Sequence, residues 1–192
     1  MTEVEFIEFP KIARLSREII VTEKIDGTCG VVYVGEDGTI KAGSRTQWLV
    51  PRHAGGADNF GFAAWCEAHA DELRKLGPGR HYGEWWGSGI QRGYGLLKGE
   101  KRFSLFNTSK WSDAAVRPAC CRVVPVLHQG IFTTEAIESC LALLRDGGSL
   151  AAPGFMKPEG VVIFHPQGNI GFKKTLECDE EWKGKARPDK AA

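Results

Sequence analysis

Apolar and polar positions alternate in short runs along most of the chain, and only two stretches repeat with the period of a helix. Glu18-Ile19-Ile20-Val21 opens a predicted strand over residues 18–26. "CGVVYV" and "TIKAGS" predict the arms of a hairpin from Cys29 to Ser44. Its turn is "GEDG", where Asp37-Gly38 supplies the residues that tight turns favour. "RHYGEWWG" and "KRFSLFNTSKW" alternate as half-buried strands do. "CCRVVPVLH" predicts another strand, with Pro125 marking an edge or a bulge because proline has no N–H for a ladder. "EGVVIFHPQGNIGFKKTL" predicts a second hairpin.

The helical pattern covers residues 58–76, where Phe62, Trp65, Cys66, His69 and Leu73 share a face. Asp58 is its expected N-cap and Gly77-Pro78-Gly79 its stop. A second helix is expected over residues 133–146, capped by Thr133 or Thr134 and closed by Gly147-Gly148. Strands with two separate helices and no βαβ alternation predict an α+β fold of antiparallel sheets.

A length of 192 residues suits one domain with a real core. The net charge of +1 supplies no global basic field, so contact with a polyanion would need a local patch. The six cysteines include no Cys-x-x-Cys pair, which fits reduced thiols in a cytoplasmic protein better than a zinc or disulfide framework. Glu3, Glu5 and Glu8 argue against a signal peptide, and no apolar run is long enough to span a membrane. Residues 183–192 read as a polar tail after a single domain over 1–182.

Four charged elements stand at predicted strand ends or edges: Lys24, Glu84, Glu159 and Lys173-Lys174. Any one alone reads most simply as a solvated surface charge. Their surroundings, in order, are "EKIDGT", Ser44-Arg45, "YGEW", "RFSLFN", "EGVVI" and "FKK", with Gly89-Ile90-Gln91 following the third. This ordered set resembles the covalent nucleotidyltransferases, which include ATP-dependent ligases and capping enzymes, and within them the RNA ligase 2-like group. The resemblance covers roughly residues 18–182.

The resemblance implies antiparallel sheets flanking an ATP cleft, with helices outside. It implies that Lys24 attacks the α-phosphorus of ATP, releases pyrophosphate and carries AMP. The AMP would pass to the 5′-phosphate of an RNA, and a 3′-hydroxyl would then displace it. A free lysine is protonated at neutral pH, with a pKa of about 10.4, so its surroundings must favour the amine. Arg45, Lys173 and Lys174 would line the phosphates, where negative charge accumulates. By the same resemblance Glu84 would reach the ribose and Glu159 would hold Mg2+ or Mn2+. Phe106 would stack on adenine against Ile25, and Glu23 with neighbouring backbone would read the exocyclic amine. Gly27 belongs to the nucleotide-binding motif.

Trp85 and Trp86 read as one core residue and one cleft wall, and His53 and His81 as structural. Arg92, Lys98, Lys101 and Arg102 form either an RNA-facing patch or a solvated rim. The sequence departs from the group's pattern at Cys29, Asn107 and the adjacent lysines: either Lys173 or Lys174 could hold the first position of the last motif, with Thr175 a candidate for the second. The expected protein is a monomer with no oligonucleotide-binding barrel. A small DNA ligase, a guanylyltransferase or a non-catalytic binding module remain the alternatives.

Overall fold

A computed structural model describes residues 5–177. The expected tail, residues 183–192, lies outside the described residues. Two sheets form the walls of the molecule: a four-stranded sheet ordered β7-β1-β8-β9 and a five-stranded sheet ordered β3-β2-β4-β5-β6. The strands are β1 Glu18–Lys24, β2 Thr28–Val34, β3 Ile40–Gly43, β4 Gly79–Gly87, β5 Lys101–Leu105, β6 Cys121–Val123, β7 Val126–Ile131, β8 Gly160–His165 and β9 Ile170–Thr175. All pairs are antiparallel except β5 with β6. The α+β expectation therefore holds.

The first sheet buries one face under α4, Thr134–Gly147. Ile19 and Val21 of β1 and Val161 and Ile163 of β8 pack there against Cys140, Leu141 and Leu144. Thr133 caps the helix by accepting from the Ala136 N–H, and Gly148 closes it, as expected.

The second sheet covers its outer face with α1, Phe62–Ala68, and α2, Ala70–Leu73. Gly30 and Gly83 pair across β2 and β4. A Cβ on either would come within about 3 Å of Phe62 or Phe103 ring atoms, so the missing side chains leave room for the aromatic core.

Three expectations need correction. The helix over 58–76 is broken at His69, and a 3-10 turn finishes it. Its N-cap is Gly61 in the left-handed region, not Asp58. The Asp58 carboxylate still accepts from the Ala64 N–H, reaching over Asn59, Phe60 and Gly61, all at positive φ. "KRFSLFNTSKW" is strand only to Leu105, because the Asn107 side chain accepts from the Lys110 N–H and starts α3, Thr108–Trp111. "CCRVVPVLH" is two strands: Pro125 marks the point where the chain leaves the second sheet at β6 and joins the first at β7.

Candidate active site

β1 ends at Lys24, and the chain crosses to the second sheet through Ile25, Asp26 and Gly27 before β2 begins. Lys24 stands opposite Gly160, the first residue of β8. This register brings Lys24 Nζ to 2.5 Å from Glu159 Oε2, with Lys24 23% exposed and Glu159 2%. The lysine is therefore no solvated surface charge: it belongs to a partly buried ion pair, and its charge is felt at Glu84.

The crossing is fixed from several sides. The Tyr94 hydroxyl accepts from the Asp26 N–H at 2.8 Å, and Arg92 Nε donates to Asp26 Oδ2 at 3.0 Å. Glu84 Oε1 accepts from the Gly27 N–H at 3.1 Å. Gly27 lies so close to β4 that a Cβ would stand 2.5 Å from the Trp85 carbonyl oxygen. Asn59 accepts from the Thr28 hydroxyl, which gives the left-handed run before α1 a purpose beside the loop that follows Lys24. Arg92 is thus neither RNA-facing patch nor rim but a clamp on the motif. Arg92, Tyr94 and Asn59 carry no short-range signal of this role, since each acts from a distant segment.

Register also settles the lysine pair. Lys174 stands opposite Val161, which packs under α4, and pairs with Glu138 of that helix at 2.5 Å. Lys173 stands opposite Val162 and Thr175 opposite Gly160, on the face that carries Lys24. Lys173 and Thr175 therefore take the two cleft-facing positions, and Lys174 is removed from the expected phosphate-lining set.

Glu23 is also corrected. It alternates with Lys24 onto the α4 face and is 1% exposed. Its carboxylate accepts from the Ser149 hydroxyl and from the Leu150 and Ala151 N–H groups, fastening the segment after α4. It does not reach the cleft, and burial raises its carboxyl pKa. Ile25 is likewise buried, in a cluster with Trp86, Tyr94, Val124 and Ala152, and so is not an open wall for a base.

The second sheet presents Glu84 toward the cleft. Cross-strand register aligns Cys29, Glu84 and Ser104 in one row. The neighbouring row holds Val31 and Tyr82, with the Phe106 N–H bonded to the Tyr82 carbonyl. Phe106 is 43% exposed, consistent with an open aromatic surface. Arg45, just after β3, is exposed, and its charge is felt at both Glu84 and Cys29. Beside them a shallow cavity of about 380 Å³ is lined by Arg45, Trp48, Arg80 and Tyr82. Trp85 and Trp86 are both buried, one under α1 and the other against Tyr94. His53 pairs with Glu67 on the surface, and buried His81 bonds the Gly77 carbonyl.

Burial lifts the Glu84 carboxyl from 4.5 to about 7, against the pull of Lys24 and the Gly27 N–H. A carboxyl raised in the folded state is most favourable when protonated. Between the two values the folded chain keeps a proton that the unfolded chain has lost, and above about 7 it carries a buried charge. The parent should therefore lose stability relative to Glu84→Gln as pH rises from about 5 to 8, by about 2 kcal/mol after allowing for solvent screening. Thermal melts of both proteins across that window check this, and parallel curves would clear Glu84 of the titration.

Solved structures of Naegleria gruberi RNA ligase are similar to this chain. A mutant with ATP and Mn gives a TM-score of 0.62 at 25% identity, covering 85% of this chain and 51% of that one. A second mutant with ATP and Mn gives 0.60 at 26%, covering 82% and 48%. An apo mutant gives 0.61 at 25%, covering 83% and 49%. The chain spans about half the length of these ligases. No protein of curated function matches the sequence. Lys24, Glu84 and Glu159 are brought within electrostatic reach of one another, and residues 17–176 match the RNA ligase family: the chain belongs to that family.

Proposed function

We propose that the protein is an ATP-dependent RNA ligase that joins 5′-phosphate and 3′-hydroxyl RNA ends through a lysyl-AMP intermediate, acting as a monomer in the cytoplasm. The observation that carries this reading is the Lys24–Glu159 pair at a strand end, facing Glu84 across a cleft, in a chain of the RNA ligase family. Lys24 Nζ forms a bond to the α-phosphorus of ATP, the bond from that phosphorus to the bridging oxygen breaks, and pyrophosphate leaves. Glu159 is the carboxylate within reach of the amine's proton. Lys173 and Arg45 face the phosphates and offset the charge that builds on their oxygens. Glu84 is the ribose partner and Phe106 the stacking surface for adenine.

No group of three or more metal-ligating side chains occurs among the described residues. A divalent cation held by one carboxylate, substrate phosphates and water fits this donor set, and that is how Mg2+ is usually bound. Glu159 would hold it, and when bound it would offset charge on the reacting phosphate.

The register of β9 gives a sharp internal test. Lys173→Ala should lower adduct formation by about 10²-fold, as the loss of one charge-stabilising group does. Lys174→Ala should stay near the parent, because its partner is Glu138 on the far face. The reverse result, loss in Lys174→Ala and none in Lys173→Ala, would mean that β9 is shifted by one residue.

The reading as a whole is tested by incubating the protein with labelled ATP and Mg2+, resolving it on a denaturing gel, and then supplying nicked RNA and nicked DNA. A labelled band and sealed RNA are expected. A band with GTP alone, or none, would overturn it.

A further inference from the structure

On the edge of the five-stranded sheet, away from the nucleophile, lies a cavity of about 440 Å³ lined by Lys101, Arg102, Arg117, Arg122, Glu100 and Cys120. Among the described residues that line it the one carboxylate is Glu100, which accepts from Arg102 through both Nε and Nη2, and Glu72 stands beside the hollow, accepting from the Cys120 N–H. Arg117 donates to the Trp111, Ser112 and Cys121 carbonyls, which fix its guanidinium without neutralising it. Among the described residues, Lys101 and Arg122 show no hydrogen bond or ion pair from their side chains. Three cations without an ion pair among the described residues thus face one hollow in a chain whose net charge is +1. The crowding is felt at Arg122, whose pKa is lowered by partial burial and by Arg102, against the opposing pull of Glu100, with Arg117 adding to the lowering.

The position of the hollow says what it would meet. Ser104 pairs with Glu84 on one side and with Arg122 on the other. Arg122 is thus two strand spacings, about 10 Å, along the same row from the carboxylate of the cleft. Ser104 between them is buried, so the hollow is a separate basin on the same wall, reached by a polymer that extends past the cleft. A planar guanidinium pair with an ammonium suits phosphate oxygens.

We infer that the Lys101, Arg117 and Arg122 hollow is a second anion site, which grips a backbone phosphate of the RNA strand beyond the nucleotide being joined. This rests on the ligase reading for the identity of the polymer. The site would supply the local cationic grip that the overall charge does not.

The test compares the parent with the double variant Lys101→Ala, Arg122→Ala, using a short single-stranded RNA and fluorescence anisotropy at several salt concentrations. Arg122→Gln serves as a second, milder variant, and Arg122→Lys as the charge-keeping control. The double variant should bind RNA roughly five- to tenfold more weakly, and its log–log salt slope should be shallower by about 0.7 for each phosphate no longer neutralised. Arg122→Lys should keep the parent's slope. Melting temperature and labelling by ATP should not change. Equal affinity and slope in parent and variants, or a parent that binds no RNA, overturns the site. The ligase reading is judged separately in the same samples: RNA binding that depends on these residues, without any ATP adduct, would keep the site and reject the ligase.

Discussion

Lys24→Ala and Lys24→Arg should both form no covalent AMP adduct, while the folded protein survives in each. Alanine removes the nucleophile. Arginine keeps a cation beside Glu159, but a guanidinium stays protonated at any pH a protein tolerates and offers no lone pair. The pair of variants therefore separates charge from nucleophilicity. Lys24→Ala leaves the buried Glu159 carboxylate without this partner. Breaking a fully buried pair costs about 3–5 kcal/mol, and the partial exposure of Lys24 lowers this to about 1–2 kcal/mol. Lys24→Arg should lose less. RNA supplied already adenylylated at its 5′ end bypasses the lysine, so sealing of that substrate should persist in both variants. Peptide mass mapping decides the assignment: AMP found on Lys173 would reject it.

Glu159→Gln is expected to lower adduct formation by about 10²- to 10³-fold, the loss seen when one preorganised electrostatic partner is removed from a reacting phosphate or oxyanion. Glutamine keeps the shape and can still accept from Lys24, so the melting temperature should hardly move. The missing charge is what matters, both for the cation and for the proton on Nζ. Mn2+ in place of Mg2+ should recover part of the rate, because Mg2+ demands near-ideal octahedral geometry and gives up its waters reluctantly. Near-parent labelling by Glu159→Gln in Mg2+ would remove this residue from the metal site.

Most strand segments, the two hairpins and the order of charged motifs were legible because each depends on residues close in sequence. Asp37 bonds Thr39 in its turn, and Thr133 caps the helix three residues ahead. What depends on distant partners was not legible. Glu23 and Lys24 are neighbours, yet strand alternation sends one to the segment after α4 and the other to Glu159. The same alternation splits Lys173 from Lys174, and only the pairing register with β8 says which faces the cleft. Ile25 reads as an apolar wall in sequence, but Trp86, Tyr94 and Val124 close over it. Asp58 kept the role of a cap while losing its position, since three left-handed residues intervene.

The two walls of the cleft should also assemble at different times. All five strands of the β3-β2-β4-β5-β6 sheet come from residues 28–123, mostly as neighbours in sequence. The other sheet joins β1 to β7 and β8, and its Lys24–Glu159 contact closes a span of 135 residues. Contacts between close residues form quickly, whereas long loops must be closed before distant ones reward the chain. During synthesis from the N-terminus the five-stranded wall can therefore fold while β1 still waits for its partners. Pulse-labelled hydrogen exchange during refolding should find amides of β2 and β4 protected before those of β1. Lys24 then gains Glu159 last, only when β8 arrives, and a ribosome-bound fragment that stops before Gly160 should carry a folded wall and Lys24 but form no adduct with ATP.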